Sequence, residues 1–380
     1  MIGIQNTIYK ILLQRYRKGI KIMFNTFFRK IIEQNPQTKG SYDKESLQKW
    51  RKKWSIFGMK PNDNLYLFYR CNIGDNEDIV PNDIARSYIE PILTPQEFQP
   101  FYNDKNSFGI FIDKNMMPRT YFRSMNGMLY DEDYRAVKGT DFEEIIKDAK
   151  ELLVKPSKEM GGKGISVFNR INDKFVDKDN NVLSFDYLNC TYKSNYLVQE
   201  RIKQSPFMAQ FNSTSVNTLR IAVYRDVTCG DLIILGGFFR IGGKGALVDN
   251  ITSGGASVPI DVETGRLGDY ASDKTRVKHS TYNDINFETT TFEIPNWNKI
   301  VEFVKEIARR MPHMSLFAND VALDEENNPI LIEVNTIDFS YTSYQVSGIP
   351  FFKEYTDELI KYCIRKNQNI KPDLIMKYFG

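Results

Sequence analysis

The stretch from Leu316 to Ser343, LFANDVALDEENNPILIEVNTIDFSYTS, constrains the chain most. Two apolar runs, Val321-Ala322-Leu323 and Ile330-Leu331-Ile332, flank the turn-forming cluster Asp324-Glu325-Glu326-Asn327-Asn328-Pro329, which predicts a β-hairpin. With the turn centred on Glu326 and Asn327, Asp320 stands opposite Glu333, and strand alternation sets Asn335 on the face of Glu333. Opposed carboxylates lie about 5 Å apart at Cβ and repel unless a proton or cation compensates them. Mg²⁺ suits such a site, because it takes one or two protein carboxylates and fills its octahedron with nucleotide phosphate and water. The competing reading is a surface hairpin with solvated acids.

At 380 residues the chain is long enough for a well-buried core and two or three lobes. A net charge of +3 gives no argument for a nucleic-acid partner. Cys71, Cys190, Cys229 and Cys363 are widely spaced and lack a CxxC pair, so neither zinc nor a disulfide framework is suggested; a reduced, cytosolic chain fits. His279 and His313 are the only histidines, which leaves little for a Ser-His-Asp or Cys-His mechanism.

Residues 1–32 carry Lys10, Arg15, Arg17, Lys18, Lys21, Arg29 and Lys30, no acid, and interleaved Ile, Leu, Met and Phe. No run is long and uncharged enough to span a bilayer, and no cleavage site follows. The segment predicts a basic amphipathic helix, lying either on an anionic cytoplasmic leaflet or on the protein's own body. Next, Leu65 to Tyr69 reads as a strand, and Ile84 to Glu90 as a short helix stopped by Pro91.

In ELLVKPSKEMGGKGISVF, residues 151–168, two strands flank a loop with Gly161, Gly162, Lys163 and Gly164. Glycines at this density let backbone N–H groups approach an anion, and Lys155 and Lys163 add positive charge. It is neither a Walker A loop nor a Rossmann fingerprint, since no helix follows. A flexible hairpin over phosphates and an ordinary hairpin turn both remain open. The strand Tyr196 to Ile202 ends in polar groups that can read an adenine edge, or is a plain strand end. Arg220 and Arg240 sit in two neighbouring apolar strands, where each needs an anion: a phosphate, a substrate carboxylate, or an internal acid. The loop from Lys244 to Ala256 combines Lys244, Asn250 and Gly254-Gly255, groups that can hold charge on a transferred phosphoryl. Trp297 to Met311 predicts an amphipathic helix ended by Pro312, and Phe352 to Arg365 a last helix.

Taken in order, Asp104-Lys105, Val154-Lys155-Pro156 with the glycine loop, Gln199-Glu200, Arg220, Arg240, Asn250, Asp320 and Glu333-Val334-Asn335 resemble the ATP-grasp superfamily. The likeness is to the sugar-transfer-associated family, through Asn103 to Asn106, Lys155 to Ile165, Thr218 to Ile221 and Glu333 to Gln345. This resemblance implies an α+β ATP-grasp fold, two α/β lobes sandwiching ATP, with a helical N-terminal extension. The expected organisation is a basic extension over 1–40, a preceding region over 41–105, a lid subdomain over 106–200 and a catalytic subdomain over 201–380.

Carried over, the resemblance implies that Lys105 and Lys155 hold ATP and that Gly161 to Gly164 close over its phosphates. Gln199, Glu200 and Ile202 would frame adenine and ribose. Arg220 and Arg240, with Lys244 and Asn250, would neutralise transferred charge, while Asp320, Glu333 and Asn335 bind Mg²⁺. One departure is the run Thr336-Ile337-Asp338-Phe339-Ser340, where many ATP-grasp ligases have Pro-Gly, so the acceptor side cannot be copied from them. The implied activity is ATP- and Mg²⁺-dependent carboxylate-amine ligation, joining an amino acid or amine to a sugar acid or lipid-linked sugar. An ATP-grasp kinase and a catalytically silent nucleotide-binding partner protein are the alternatives. The expected location is cytoplasmic, with peripheral membrane contact through the N-terminal helix.

Overall fold

The computed structural model describes residues 2–367 apart from 160, 247, 338 and 339. Asp338 and Phe339, part of the departure noted above, therefore lie outside the described residues.

Two antiparallel sheets organise the chain. The first contains β1 (Thr120–Met125), β2 (Met128–Asp131), β3 (Glu151–Pro156), β4 (Ser166–Ile171), β5 (Lys174–Val176) and β6 (Tyr196–Glu200), in the order β2-β1-β6-β3-β4-β5. Alternation decides its two faces. Leu152, Val154, Phe168, Tyr196 and Val198 enter a core with Phe122, Phe142 and Leu188, while Leu153, Lys155, Val167 and Gln199 face the other way.

The second sheet contains β7 (Thr218–Arg225), β8 (Leu232–Ile241), β9 (Ala256–Ile260), β10 (Ala271–Ser272) and β11 (Lys278–His279). After a short ribbon of β12 (Thr281–Tyr282) and β13 (Ile285–Asn286), it is completed by β14 (Leu316–Leu323) and β15 (Pro329–Asn335), in the order β11-β10-β9-β8-β7-β14-β15. Both of its faces are covered. Leu219, Ile221 and Val223 pack with Ile300, Val304 and Ile307 of the Trp297–Arg309 helix. Ala222 and Tyr224, on the alternate face, join Trp50, Trp54, Tyr66 and Tyr69.

Those aromatics come from α2 (Lys44–Trp54) and α3 (Asp63–Ile73), against which the end of α1 (Ile2–Gln34) lies. The strand expected at Leu65 to Tyr69 is instead part of α3. Asn62 caps it by accepting from Asn64 N–H at 3.1 Å, and Leu65, Tyr66, Phe68 and Tyr69 make one buried face at helical spacing. Pro91 does not stop the preceding helix either. A π-helical turn over Ala85–Ile89 leads into Glu90–Leu93 with Pro91 in its first turn, where no amide donor is required. The N-terminal helix forms as expected; Phe28 and Ile31 are buried on the body, and Ile8, Ile11, Ile22 and Met23 remain exposed. Among the described residues no helix is long and apolar enough to cross a membrane.

Candidate active site

The register of the second sheet builds the site. Asp320 on β14 pairs with Arg220 on β7 and with Glu333 on β15, so the three form one row across adjacent strands. The expected hairpin register holds at this pair. Nearer the turn a bulge shifts it, Val321 facing Leu331, so an irregularity beside the acids sets their alignment. Asp320 is 3 % exposed and the Glu333 side chain 20 % exposed, so this pair of hairpin acids is not solvated at the surface.

Asp320 binds two guanidiniums. Arg220 donates Nε to Oδ1 and Nη2 to Oδ2, both at 2.6 Å, and Arg240 donates Nη1 to Oδ2 at 2.7 Å. Burial alone would raise this carboxyl; Arg220 and Arg240 hold it below the ordinary carboxylate value. Arg240 also binds Asp249 at 2.9 Å, and Asp249 accepts a short bond from the Thr218 hydroxyl. Burial pushes the Asp249 carboxyl up. Both arginines thus have internal acids, yet Arg220 Nη1 has no partner among the described residues and remains available to a ligand.

Opposite this row, β3 presents Lys155. It is buried, makes no ion pair among the described residues, and its ammonium is pushed down to about 7, first by burial and then by Lys105. Lys105 reaches Glu333 Oε1 at 3.2 Å and the Glu159 carbonyl at 2.9 Å. A cleft of about 440 Å³ separates the two sheets. Of the predicted residues, Lys155, Gly161, Gly162, Lys163, Gln199, Glu200, Ile202, Arg220, Arg240, Asn250, Asp320, Glu333 and Asn335 line it.

The glycine loop covers this cleft only in part. Asn250 donates to the Gly161 carbonyl at 3.2 Å, and a Cβ on Gly162, whose φ is +75°, would meet Val248 at 2.8 Å. Gly164 turns away, against the Pro156 ring. Lys244 was expected in the site and is not there: it stands exposed in a turn and pairs with Asp284. Lys105 lies behind Glu333 and is not among the cleft-lining residues.

Sequence reasoning passed over Asp249, beside the Asn250 that it singled out, and the apolar walls Val216, Val248 and Ile332. No sequence signal pointed to Asp249, because a loop and not the sheet brings it to Arg240. His313 stacks on Phe98 at 3.7 Å and does not line this cleft.

The donor set fits a hard divalent cation. Glu333 Oε2 accepts no hydrogen bond among the described residues, and Asn335 Oδ1 receives only a long one, 3.4 Å from Arg220. Asp320 retains unused lone-pair capacity, since a carboxylate offers about four acceptor sites. Two carboxylates and one amide oxygen leave room for phosphate and water, as Mg²⁺ requires.

Comparison with known proteins assigns the class. The sequence model described as sugar-transfer associated ATP-grasp matches residues 93–352. The chain belongs to this family, and its fold is ATP-grasp. Similar solved structures include D-alanine–D-alanine ligase from Bacillus anthracis, at 11 % identity and TM-score 0.39, covering 71 % of this chain and 69 % of that one. The biotin carboxylase domain of 2-oxoglutarate carboxylase from Hydrogenobacter thermophilus, solved with MgADP, ADP and bicarbonate, gives 12 % identity, TM-score 0.40, and coverage of 70 % and 46 %. N5-carboxyaminoimidazole synthetase from Staphylococcus aureus gives 10 %, 0.37, 67 % and 51 %. The chain thus spans only about half the length of the latter two. No curated protein matches in sequence.

Proposed function

We propose that the protein is an ATP- and Mg²⁺-dependent carboxylate-amine ligase working through an acyl-phosphate. The observation that carries this reading is the convergence in one cleft of buried Lys155, the Arg220–Asp320–Arg240 cluster, and the oxygen donors Glu333 and Asn335. Asp320, Glu333 and Asn335 would hold Mg²⁺, which supplies charge neutralisation at the nucleotide phosphates when bound. Lys155 would bind a phosphate from the first sheet, and Arg220 Nη1 would take a transferred or leaving oxygen from the second. Gln199, Glu200 and Ile202 would seat the adenine and ribose, with Val216, Val248 and Ile332 excluding water. Gly161, Gly162 and Lys163 would close over the phosphates, with Gly164 turning the chain against Pro156, while Asn250 fixes the loop. No step calls for a protein nucleophile, consistent with free cysteines and two histidines outside the cleft lining.

The family's association with sugar transfer supports a sugar acid or lipid-linked sugar as one substrate and an amine or amino acid as the other, in surface-polysaccharide synthesis. Exposed Ile8, Ile11, Ile22 and Met23 on a helix that also carries Lys10, Lys18 and Lys21 support peripheral contact with the anionic cytoplasmic leaflet. The decisive experiment is a melting curve with and without millimolar Mg·ATP, followed by a screen of amine and sugar-acid pairs for phosphate release. A raised melting temperature and amine-dependent release are expected. An unchanged curve overturns the nucleotide site, and a stable phosphorylated product formed without amine identifies a kinase instead.

A further inference from the structure

A second, smaller cavity, about 270 Å³, lies between α1 and the segment that follows β15. Phe24 and Phe27 of α1 form its apolar side; Asn82, Arg276, Ser340 and Thr342 form its polar side. Arg86 also lines it, bound to Glu90 at 2.5 Å, so these two charges offset each other.

Arg276 is different. It forms no ion pair among the described residues: Nη1 donates to the Ser343 hydroxyl at 2.9 Å, and its buried Nε has no partner. Asp273, three residues earlier, is committed elsewhere, accepting from Thr275 N–H and hydroxyl at 2.8 and 2.6 Å with His279 3.5 Å away. Burial holds the Arg276 guanidinium below its ordinary value. Arg123 and Arg225 also lack an acid, but Arg123 lies over the Tyr134 ring and Arg225 caps the Ala308 carbonyl, and neither lines this cavity.

The backbone points to the same place. Arg276 has φ +64° and Ser340 φ +71°, left-handed conformations that cost energy in residues other than glycine, whereas most other such positions are Asn or Asp. Both strained residues line the cavity. The Tyr341–Gln345 helix connects it to the catalytic cleft. Ser343 meets Arg276, and the ring of Tyr344, the next residue, packs against Phe238, which pairs in register with Arg220.

We propose that this cavity binds an anionic group, carboxylate or phosphate, of the acceptor substrate, with Arg276 as its counter-charge and Phe24 and Phe27 covering the attached apolar portion. It rests on the ligase reading above and extends it to a substrate subsite that the N-terminal helix completes. The bound anion would neutralise a guanidinium that lines the cavity and that the fold leaves without an acid among the described residues.

The test titrates the full chain with glucuronate and with farnesyl phosphate in 0.15 M salt, using glucose and farnesol as neutral controls. At least one anion is expected to bind, the neutral controls to bind much more weakly, and Arg276→Gln to weaken the anion at least tenfold. Preference for glucuronate assigns a sugar carboxylate; preference for farnesyl phosphate assigns a lipid phosphate. Ser343→Asp, which supplies Arg276 with an acid while keeping the arginine, should abolish binding equally and serves if Arg276→Gln fails to fold. The Mg·ATP melting shift should survive in both variants. If wild type shows that shift but neither anion binds, or binding is unaffected by either substitution, the subsite is refuted while the nucleotide reading stands. If wild type shows no shift, the ligase reading fails first.

Discussion

Asp320 and Glu333 are proposed ligands to the same ion, yet the structure gives them unequal structural roles, so their substitution should separate metal binding from folding. Asp320→Asn leaves Arg220 without an acid, and Arg240 with Asp249, among the described residues, inside a nearly sealed row. Breaking a buried pair by removing one partner costs about 3–5 kcal/mol, because the remaining charge is left uncompensated. With about 2.1 cal/mol/K of unfolding entropy per residue and 380 residues, that loss lowers the melting temperature by about 4–6 °C. Glu333→Gln takes the charge from one 3.2 Å contact to Lys105, in a pair whose side chains are 20 % and 8 % exposed, but keeps an amide oxygen that can still accept from Lys105, so it should cost less than the Asp320 change. Scanning calorimetry of both variants, each with and without Mg·ATP, reads the two effects together. Both should lose most of the ligand-induced gain, and only Asp320→Asn should melt early in its absence. An Asp320→Asn protein that melts like wild type would refute the claim that this carboxylate compensates the arginines.

Further substitutions probe the other parts of the site. Gly162→Val places a side chain against Val248 at a φ of +75°, so it should slow phosphate release, and an unaltered rate would make the glycines only a turn. Lys155 holds its proton to about pH 7 when folded against 10.5 as its ordinary value, so the unfolded state carries the extra proton between those values. Stability should therefore rise with pH across that window, and Lys155→Met should flatten the rise in melting temperature. A nucleotide phosphate held by Lys155 should restore the ammonium, so calorimetric titrations at pH 8 in buffers of different ionisation enthalpy should show uptake of close to one proton on Mg·ATP binding, absent in Lys155→Met. Phe28→Ala removes the fully buried ring set edgewise against Phe68 and Tyr69, and should cost about 3–5 kcal/mol and expose α1 to limited proteolysis.

Much of this architecture was legible because strand alternation and hairpin register are local rules. They set Asp320 opposite Glu333 and drew Arg220 and Arg240 toward an anion. Two kinds of information were not local. Leu65 to Tyr69 has strand-like composition, and only the Asn62 cap and the aromatic core waiting beneath one helical face decide for a helix. Lys244 sits amid glycines that suit a phosphate loop, but which way a turn projects its lysine depends on Asp284, forty residues further on. The partner of Arg240 was likewise invisible, since Asp249 is brought in by a loop rather than by the sheet.

The same row of charges explains how one set of residues can serve both folding and ligand binding. Two arginines sequestered from water need compensation at all times, and Asp320 and Asp249 provide it without any ligand. Beyond the unused Arg220 Nη1, a ligand that brought only anionic charge would have to draw these guanidiniums away from the acids, leaving buried carboxylates exposed to their own repulsion. A nucleotide arriving with a divalent ion brings both signs. The ion can take carboxylate oxygens that the arginines release, and the phosphates can take the released N–H groups, so each buried charge exchanges one partner for another. Nucleotide without the metal should accordingly bind far more weakly than the complex, and the deficit should shrink in Asp320→Asn, where Asp249 is the one carboxylate of this cluster left to strand.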